Sequence, residues 1–141
     1  MVKPGVFEAH FGSGDDYGVA IEGNGETVYA YFIRRCRITG DTWLFNVTAA
    51  PETVPWKDGG EPPFQNTANY SFEFNNALEA QPNDFRVLFN PESDPISAAI
   101  YFQKHLIGIV YDGVRPGKSR FAKSDSPVAR RMQNPYGPIP E

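Results

Sequence analysis

Two histidines (His10 and His105), a single cysteine (Cys36) and a glycine- and lysine-bearing stretch from Gly113 to Ser119 are the features of this 141-residue chain with types suited to chemistry. A histidine in a cleft, within reach of a carboxylate, a serine or Cys36, would serve a small hydrolase as its base. Neither histidine belongs to a recognisable catalytic spacing. Cys36 is flanked by Arg34, Arg35 and Arg37, and nearby cations lower a thiol pKa. Strand alternation, however, places Cys36 on the face of Val28, Ala30, Phe32 and Ile38, which predicts a buried, inert thiol. No catalytic residue is assigned.

Structural zinc takes four Cys or His ligands as a rule. Cys36, His10 and His105 supply three, from separate segments, so no metal site is expected. Asp15-Asp16 and Glu26 do not give the alternating acids and closing glutamate of a calcium loop. The run Gly113-Val-Arg-Pro-Gly117-Lys118-Ser119 approximates the phosphate loop GxxxxGK[ST], in which backbone N–H groups cradle phosphate. Its spacer is one residue short, Pro116 removes an N–H, and no strong helix follows. A surface turn at Arg115–Lys118 is the expectation. Gly12 to Gly18 lacks the GxGxxG spacing and precedes a strand, so it reads as a hairpin connection. No cofactor is expected.

Charge separates the chain into two parts. Residues 1–113 carry 7 basic and 15 acidic side chains, whereas residues 114–141 carry 6 basic and 2 acidic. An acidic body repels phosphates, which disfavours nucleic acid as a partner. The cations Arg115, Lys118, Arg120, Lys123, Arg130 and Arg131 form a basic C-terminal segment, expected to rest on the acidic body. The start of the chain lacks the apolar stretch of a secretory signal, and no apolar run reaches the roughly 18 residues that span a bilayer. A cytoplasmic protein with no membrane partner is expected. Asn46-Val47-Thr48 and Asn69-Tyr70-Ser71 match the glycosylation tripeptide, and both are read as chance.

The elements that must position these residues are mostly strands. Apolar residues make up 40% of the chain and aromatic residues 14%, which excludes a disordered chain. Thirteen glycines and thirteen prolines imply many turns. Tyr17–Gly23 and Thr27–Ile38 flank Asn24-Gly25, a pair suited to a type I′ hairpin. A turn at Gly40-Asp41 leads into Thr42–Ala49. Tyr70–Asn75 and Phe85–Asn90 alternate with period two. Asn76–Gln81 suits a helical turn before Pro82. Ile96 to Asp112 is ambiguous: Asp94-Pro95 could open a helix followed by a strand, but the β-branched and aromatic residues favour two strands turning near Gln103–His105. Ser126-Pro127 predicts a short helix over Pro127–Met132. The expected fold is mainly β: an antiparallel β-sandwich or partly open barrel with an N-terminal meander and a short C-terminal helix. Residues 1–133 form one β-rich domain, and residues 134–141 an extended Pro-rich tail.

Pro51 to Asn66 contains four prolines and no apolar periodicity, yet carries Trp56 and Phe64. Connections this long are usually functional or mobile. Rings in such a loop suit an interface, where aromatic anchors dominate the energy. With Glu52, Asp58 and Glu61 in the same stretch, the pattern points to a non-enzymatic protein-binding module. An inhibitor, an immunity-type protein or an accessory subunit that meets a basic partner fits this pattern. Two alternatives stand beside it. One is a β-barrel that binds a small molecule in a cavity lined by its twenty aromatic residues. The other is the histidine-based hydrolase above. Self-association is left open.

Overall fold

Alternating side chains produce strands through most of the chain in a computed structural model, which describes residues 5–12, 16–52, 65–74 and 77–132. Two sheets result. The first joins β1 (Val6–Gly12), β2 (Tyr17–Asn24), β3 (Thr27–Arg34) and β4 (Arg37–Asn46) in sequential order. The second joins β5 (Phe85–Asn90), β6 (Ser97–Phe102), β7 (His105–Tyr111), β8 (Val114–Ser119) and the two-residue β9 (Arg130–Arg131). All neighbours pair antiparallel except β8 and β9, which are parallel. The sheets pack as a β-sandwich and do not close into a barrel.

The turns depart from the glycine signals. In the β2–β3 hairpin the turn residues are Gly25-Glu26, one position later than Asn24-Gly25. Gly25 takes φ 93°. Asn24 instead accepts from the Glu26 and Thr27 amides through Oδ1, each at 2.9 Å, as short polar side chains do at turns. The expected long strand Thr27–Ile38 is broken at Arg35-Cys36, where both residues have positive φ (50° and 66°), the type I′ pattern. Gly40-Asp41 is therefore no turn but the middle of β4. Likewise Arg115-Pro116-Gly117-Lys118 lies inside β8, and the turn before it is Asp112-Gly113. The β6–β7 hairpin turns at Gln103-Lys104, as expected from the alternation on either side, with Gln103 at φ 54°.

Those two misplaced glycines have a different task. A Cβ on Gly40 would strike the Tyr111 carbonyl, and one on Gly117 the Ile109 carbonyl, with the Thr42 Cβ 3.1 Å away. Glycine is needed where backbones approach closely. It lets β4 cross directly against the β7–β8 hairpin. Ser119 Oγ donates to the Leu44 carbonyl at 2.6 Å, and the Gly113 amide to the Thr39 carbonyl at 3.0 Å. This seam closes one side of the sandwich. On the other side β1 and β2 meet β5 through rings: Phe7 stacks on Phe85 at 5.4 Å, and Tyr17 meets Phe89 edge-on at 5.4 Å.

Between the seams the core is aromatic and continuous across both sheets. Phe74 packs on Phe45 and Phe121 (4.8 Å each) and on Phe102 (5.0 Å), and Phe102 in turn on Phe85 (5.4 Å). Each such pair adds about 0.5–1.5 kcal/mol beyond area burial. Phe74 sits in the expected strand Tyr70–Asn75, whose described residues 70–74 do not form a strand. Ala68–Tyr70 form a 3-10 turn, and only an isolated bridge joins Ser71 to Ala122. The Phe72 and Lys123 amides donate to the Phe121 and Tyr70 carbonyls, each at 2.7 Å. This short clasp suffices to lower Phe74 into the core. The helical turn expected over Asn76–Gln81 appears as a 3-10 turn at Ala77–Glu79.

The C-terminal helix over Pro127–Met132 does not form. The Val128 carbonyl accepts from the Trp43 amide at 2.9 Å, and Val128 and Ala129 are buried. Arg130-Arg131 then add to β8 as β9. Six residues lie well below the length at which a helix holds itself together, so docking onto β4 and β8 decides the outcome. Residues 134–141 lie outside the described residues.

Candidate functional site

In a sheet, residues directly across from one another share a face. The register therefore places His10, Ala20, Tyr31 and Asp41 in one row across β1–β4 and Glu8, Glu22, Tyr29 and Trp43 in the next. These rows lie on the outer face, opposite Val28, Ala30 and Phe32 on the core face. At the β1–β2 end the rows are wet: Glu8 and His10 are about 60% exposed, and Glu22 is exposed. At the β3–β4 end they are buried, with Tyr29, Tyr31 and Trp43 all inside.

The buried end is organised by polar contacts. Arg115 reaches across from β8 and donates from Nη1 to Asp41 Oδ2 at 2.8 Å and from Nη2 to the Ile38 carbonyl at 2.8 Å. Burial raises the Asp41 pKa above the ordinary 3.8, and Arg115 opposes that rise. Burial also pushes the Tyr31 phenol up to about 12, with Glu22 and Asp41 adding to the shift. Tyr31 is thus a neutral hydroxyl in a negative field. Trp43 donates from Nε1 to Asn46 Oδ1 at 2.9 Å, and Asn46 in turn donates to the Asn66 carbonyl at 2.8 Å.

The exposed end is simpler. Glu8 and Glu22 stand directly opposite each other across β1–β2. His10 Nε2 lies 2.6 Å from Glu8 Oε1. Like charges set directly opposite destabilise a strand pair. The register therefore sets two acidic residues opposite each other on an exposed face, one of them already against His10.

The residues singled out from the sequence scatter. Cys36 is exposed at the tip of the β3–β4 hairpin rather than buried, because the strand breaks one residue before it. His105 begins β7 of the second sheet, whereas His10 lies in β1 of the first. Two hollows stand out, of about 190 Å³ beside Asn46, Thr48, Ser71 and Phe72, and of about 650 Å³ beside Arg86, Leu88, Tyr101 and Lys104. Neither histidine lines either one. No group of three or more His, Cys, Asp or Glu among the described residues could hold a metal ion. No helix among them is long and apolar enough to cross a membrane.

The expected basic segment is woven into the second sheet. Arg115 pairs with Asp41, so one cation of the segment does meet the acidic body. Lys118 lies in β8 and pairs in register with Arg130 of β9. Arg130 donates from Nε to the Pro116 carbonyl at 3.1 Å and covers the Tyr111 ring at 5.7 Å. Arg120 donates to the Leu106 carbonyl at 3.4 Å, and Lys123 covers the Phe72 ring at 5.3 Å. Arg131 is exposed, with its amide bonded to Asp125 at 2.9 Å.

Of the loop residues, Glu52 is exposed, while Trp56, Asp58, Glu61 and Phe64 lie outside the described residues. The base of that loop is tied. The Ala68 amide donates to the Pro51 carbonyl at 2.9 Å, and Asn46 and Asn66 bond reciprocally. The Glu8–Glu22 pair escaped the reading of the sequence because its signal is register. Only a known β1–β2 alignment sets those two residues opposite each other.

Comparison with protein-family models, with curated proteins and with solved structures finds no match to this chain.

Proposed function

We propose that this protein is a non-enzymatic binding module that captures a basic partner protein. The carrying observation is the Glu8–Glu22 pair, in register on the open outer face of β1 and β2. Two facing carboxylates weaken the free protein, and a Lys or Arg of a partner placed between them relieves that repulsion. An acidic surface also speeds encounter with a cationic partner. Glu52 and the loop carrying Trp56, Asp58, Glu61 and Phe64 extend the same reading: acids around aromatic anchors. An inhibitor, immunity-type or accessory protein acts by such capture.

The test uses the full chain immobilised as wild type and as the Glu8→Lys/Glu22→Lys variant, each offered a lysate of its source cells. A protein retained by the wild type is identified, purified and titrated against both at 50 and 300 mM salt. Expected are a basic partner, at least tenfold weaker binding to the variant, and weaker binding at high salt. Trp56→Ala should weaken the same capture with the thermal midpoint nearly unchanged. Retention that is equal for wild type and variant, or no retained protein, overturns the proposal.

A further inference from the structure

The outer face of the second sheet has the opposite character. Its outward-facing positions read, strand by strand, Arg86 and Leu88 on β5, both exposed, then the half-buried Ala99 and Tyr101 on β6, Leu106 and Ile109 on β7 and Lys118 on β8. The register joins Arg86 to Tyr101 and Tyr101 to Leu106, and joins Leu88 to Ala99, Ala99 to Ile109 and Ile109 to Lys118. Apolar side chains thus form a contiguous floor flanked by cations. Leu88 is 61% exposed, the most exposed of the large apolar residues among those described. The hollow of about 650 Å³ lies here, lined by Leu88 and Tyr101, by Arg86 and Lys104, and by the polar Asn83, Asp84 and Gln103.

The cations at this site differ from Arg34, Arg35 and Arg115, which are held by Asp16, Asp112 and Asp41. Arg86, Lys104 and Lys118 form no ion pair among the described residues. The one acid in the hollow, Asp84, is engaged: its Oδ2 accepts from the Gln81 amide at 2.9 Å in a reciprocal cap. Unpaired cations beside an apolar floor complement a ligand that alternates carboxylates with apolar side chains.

We infer that this hollow and the sheet face around it bind an extended acidic–aliphatic segment of a partner protein, with its apolar side chains on Leu88 and Tyr101 and its carboxylates on Arg86 and Lys104. The volume falls in the range of ordinary ligand sites, roughly 300–1,000 Å³. Tyr and Arg are the residues that most often anchor such contacts. A floor of Leu88, Ala99 and Ile109 with the single ring of Tyr101 favours peptide side chains over nucleic-acid bases, which stack on successive aromatic rings. The surface is separate from the Glu8–Glu22 pair, so the protein has two binding faces of opposite sign.

The test is titration of the full-length 15N-labelled chain with a synthetic hexapeptide of alternating Asp and Leu, followed by amide shifts. Expected are shifts confined to Arg86, Leu88, Tyr101 and Lys104 and their neighbours. Leu88→Glu and Arg86→Glu should each weaken binding at least fivefold, with the circular dichroism spectrum and thermal midpoint unchanged. Glu8→Lys/Glu22→Lys should leave peptide binding intact, which separates this surface from the first. Three controls decide against the inference. They are equal binding of a Lys–Leu hexapeptide, tighter binding of a single-stranded oligonucleotide at the same residues, and concentration-dependent self-association abolished by Leu88→Glu. Peptide shifts that fall elsewhere, or none at all, overturn it as well.

Discussion

The seam where β4 crosses β8 is backbone against backbone, and the seam where β1 and β2 meet β5 is ring against ring. At the first, a Cβ on Gly40 would reach the Tyr111 carbonyl oxygen, and one on Gly117 would press on the Thr42 Cβ at 3.1 Å. Asp41 and Arg115 then lock the crossing at 2.8 Å. At the second, Phe7 on Phe85 and Tyr17 on Phe89 fill a gap that side chains of other shapes could also fill. Backbone contact has no rotamers with which to adapt. Ring contact has several. The first seam should therefore be intolerant and the second forgiving.

Gly40→Ala puts this contrast to its hardest test. The added methyl meets the Tyr111 carbonyl, which belongs to a paired strand and has nowhere to retreat. A loss of about 3 kcal/mol or more is expected by urea unfolding, at the upper end for overpacking. A loss under about 1 kcal/mol would show that the seam yields, and the contrast would fail.

Phe7→Ala probes the forgiving side. Phe7 is only partly buried, so the expected loss is about 2 kcal/mol, from lost area and one stacked pair. Phe7→Leu should recover most of it. If Leu restores nothing, the β1–β5 seam is as exacting as the other.

Arg115→Ala separates charge from shape at the first seam. It should cost about 1.5 kcal/mol at pH 7, because the nearly buried Asp41 carboxylate loses its partner. The sign of the pH dependence follows from the raised Asp41 pKa. Between the ordinary 3.8 and the raised value, the folded chain holds a proton that the unfolded chain has released. Stability from this group therefore grows as pH falls through that window. Removing Arg115 widens the window, so the deficit of the variant should shrink as the pH is lowered from 7 towards 4. A deficit that stays constant would mean Arg115 acts through the Ile38 carbonyl and packing alone.

The same seam explains where the sequence misled. Gly40-Asp41 and Arg115-Pro116-Gly117-Lys118 carry strong turn signals, yet both lie inside strands. Glycine has two structural uses, positive φ and close approach, and local sequence does not distinguish them. Conversely, the β3–β4 turn falls on Arg35-Cys36, and the β6–β7 turn uses Gln103 at positive φ. None of these carries a turn signature. Misplacing the first of these turns also misplaced Cys36, which moved from the core to a hairpin tip. Tyr70–Asn75 shows the converse error. Its alternation is real, but Phe74 is held by a clasp on Phe121 rather than by a neighbouring strand.

Period-two alternation is a property of the chain alone, because it reports which side of a pleated strand each residue faces. It was enough to determine a mainly β architecture, the β2–β3 hairpin to within one residue and the β5 strand, and to favour two strands over a helix for β6 and β7. The uneven charge of the two parts of the chain was equally legible. Register, the crossing of β4 over β8 and the fate of the C-terminal segment were decided only in three dimensions. Those features depend on which distant backbones touch. Pairing free energies are summed over whole strands, so no short stretch of residues contains them. The opposition of Glu8 to Glu22 and the exposure of Leu88 between unpaired cations belong to this second kind, and it is on them that recognition by this protein is proposed to rest.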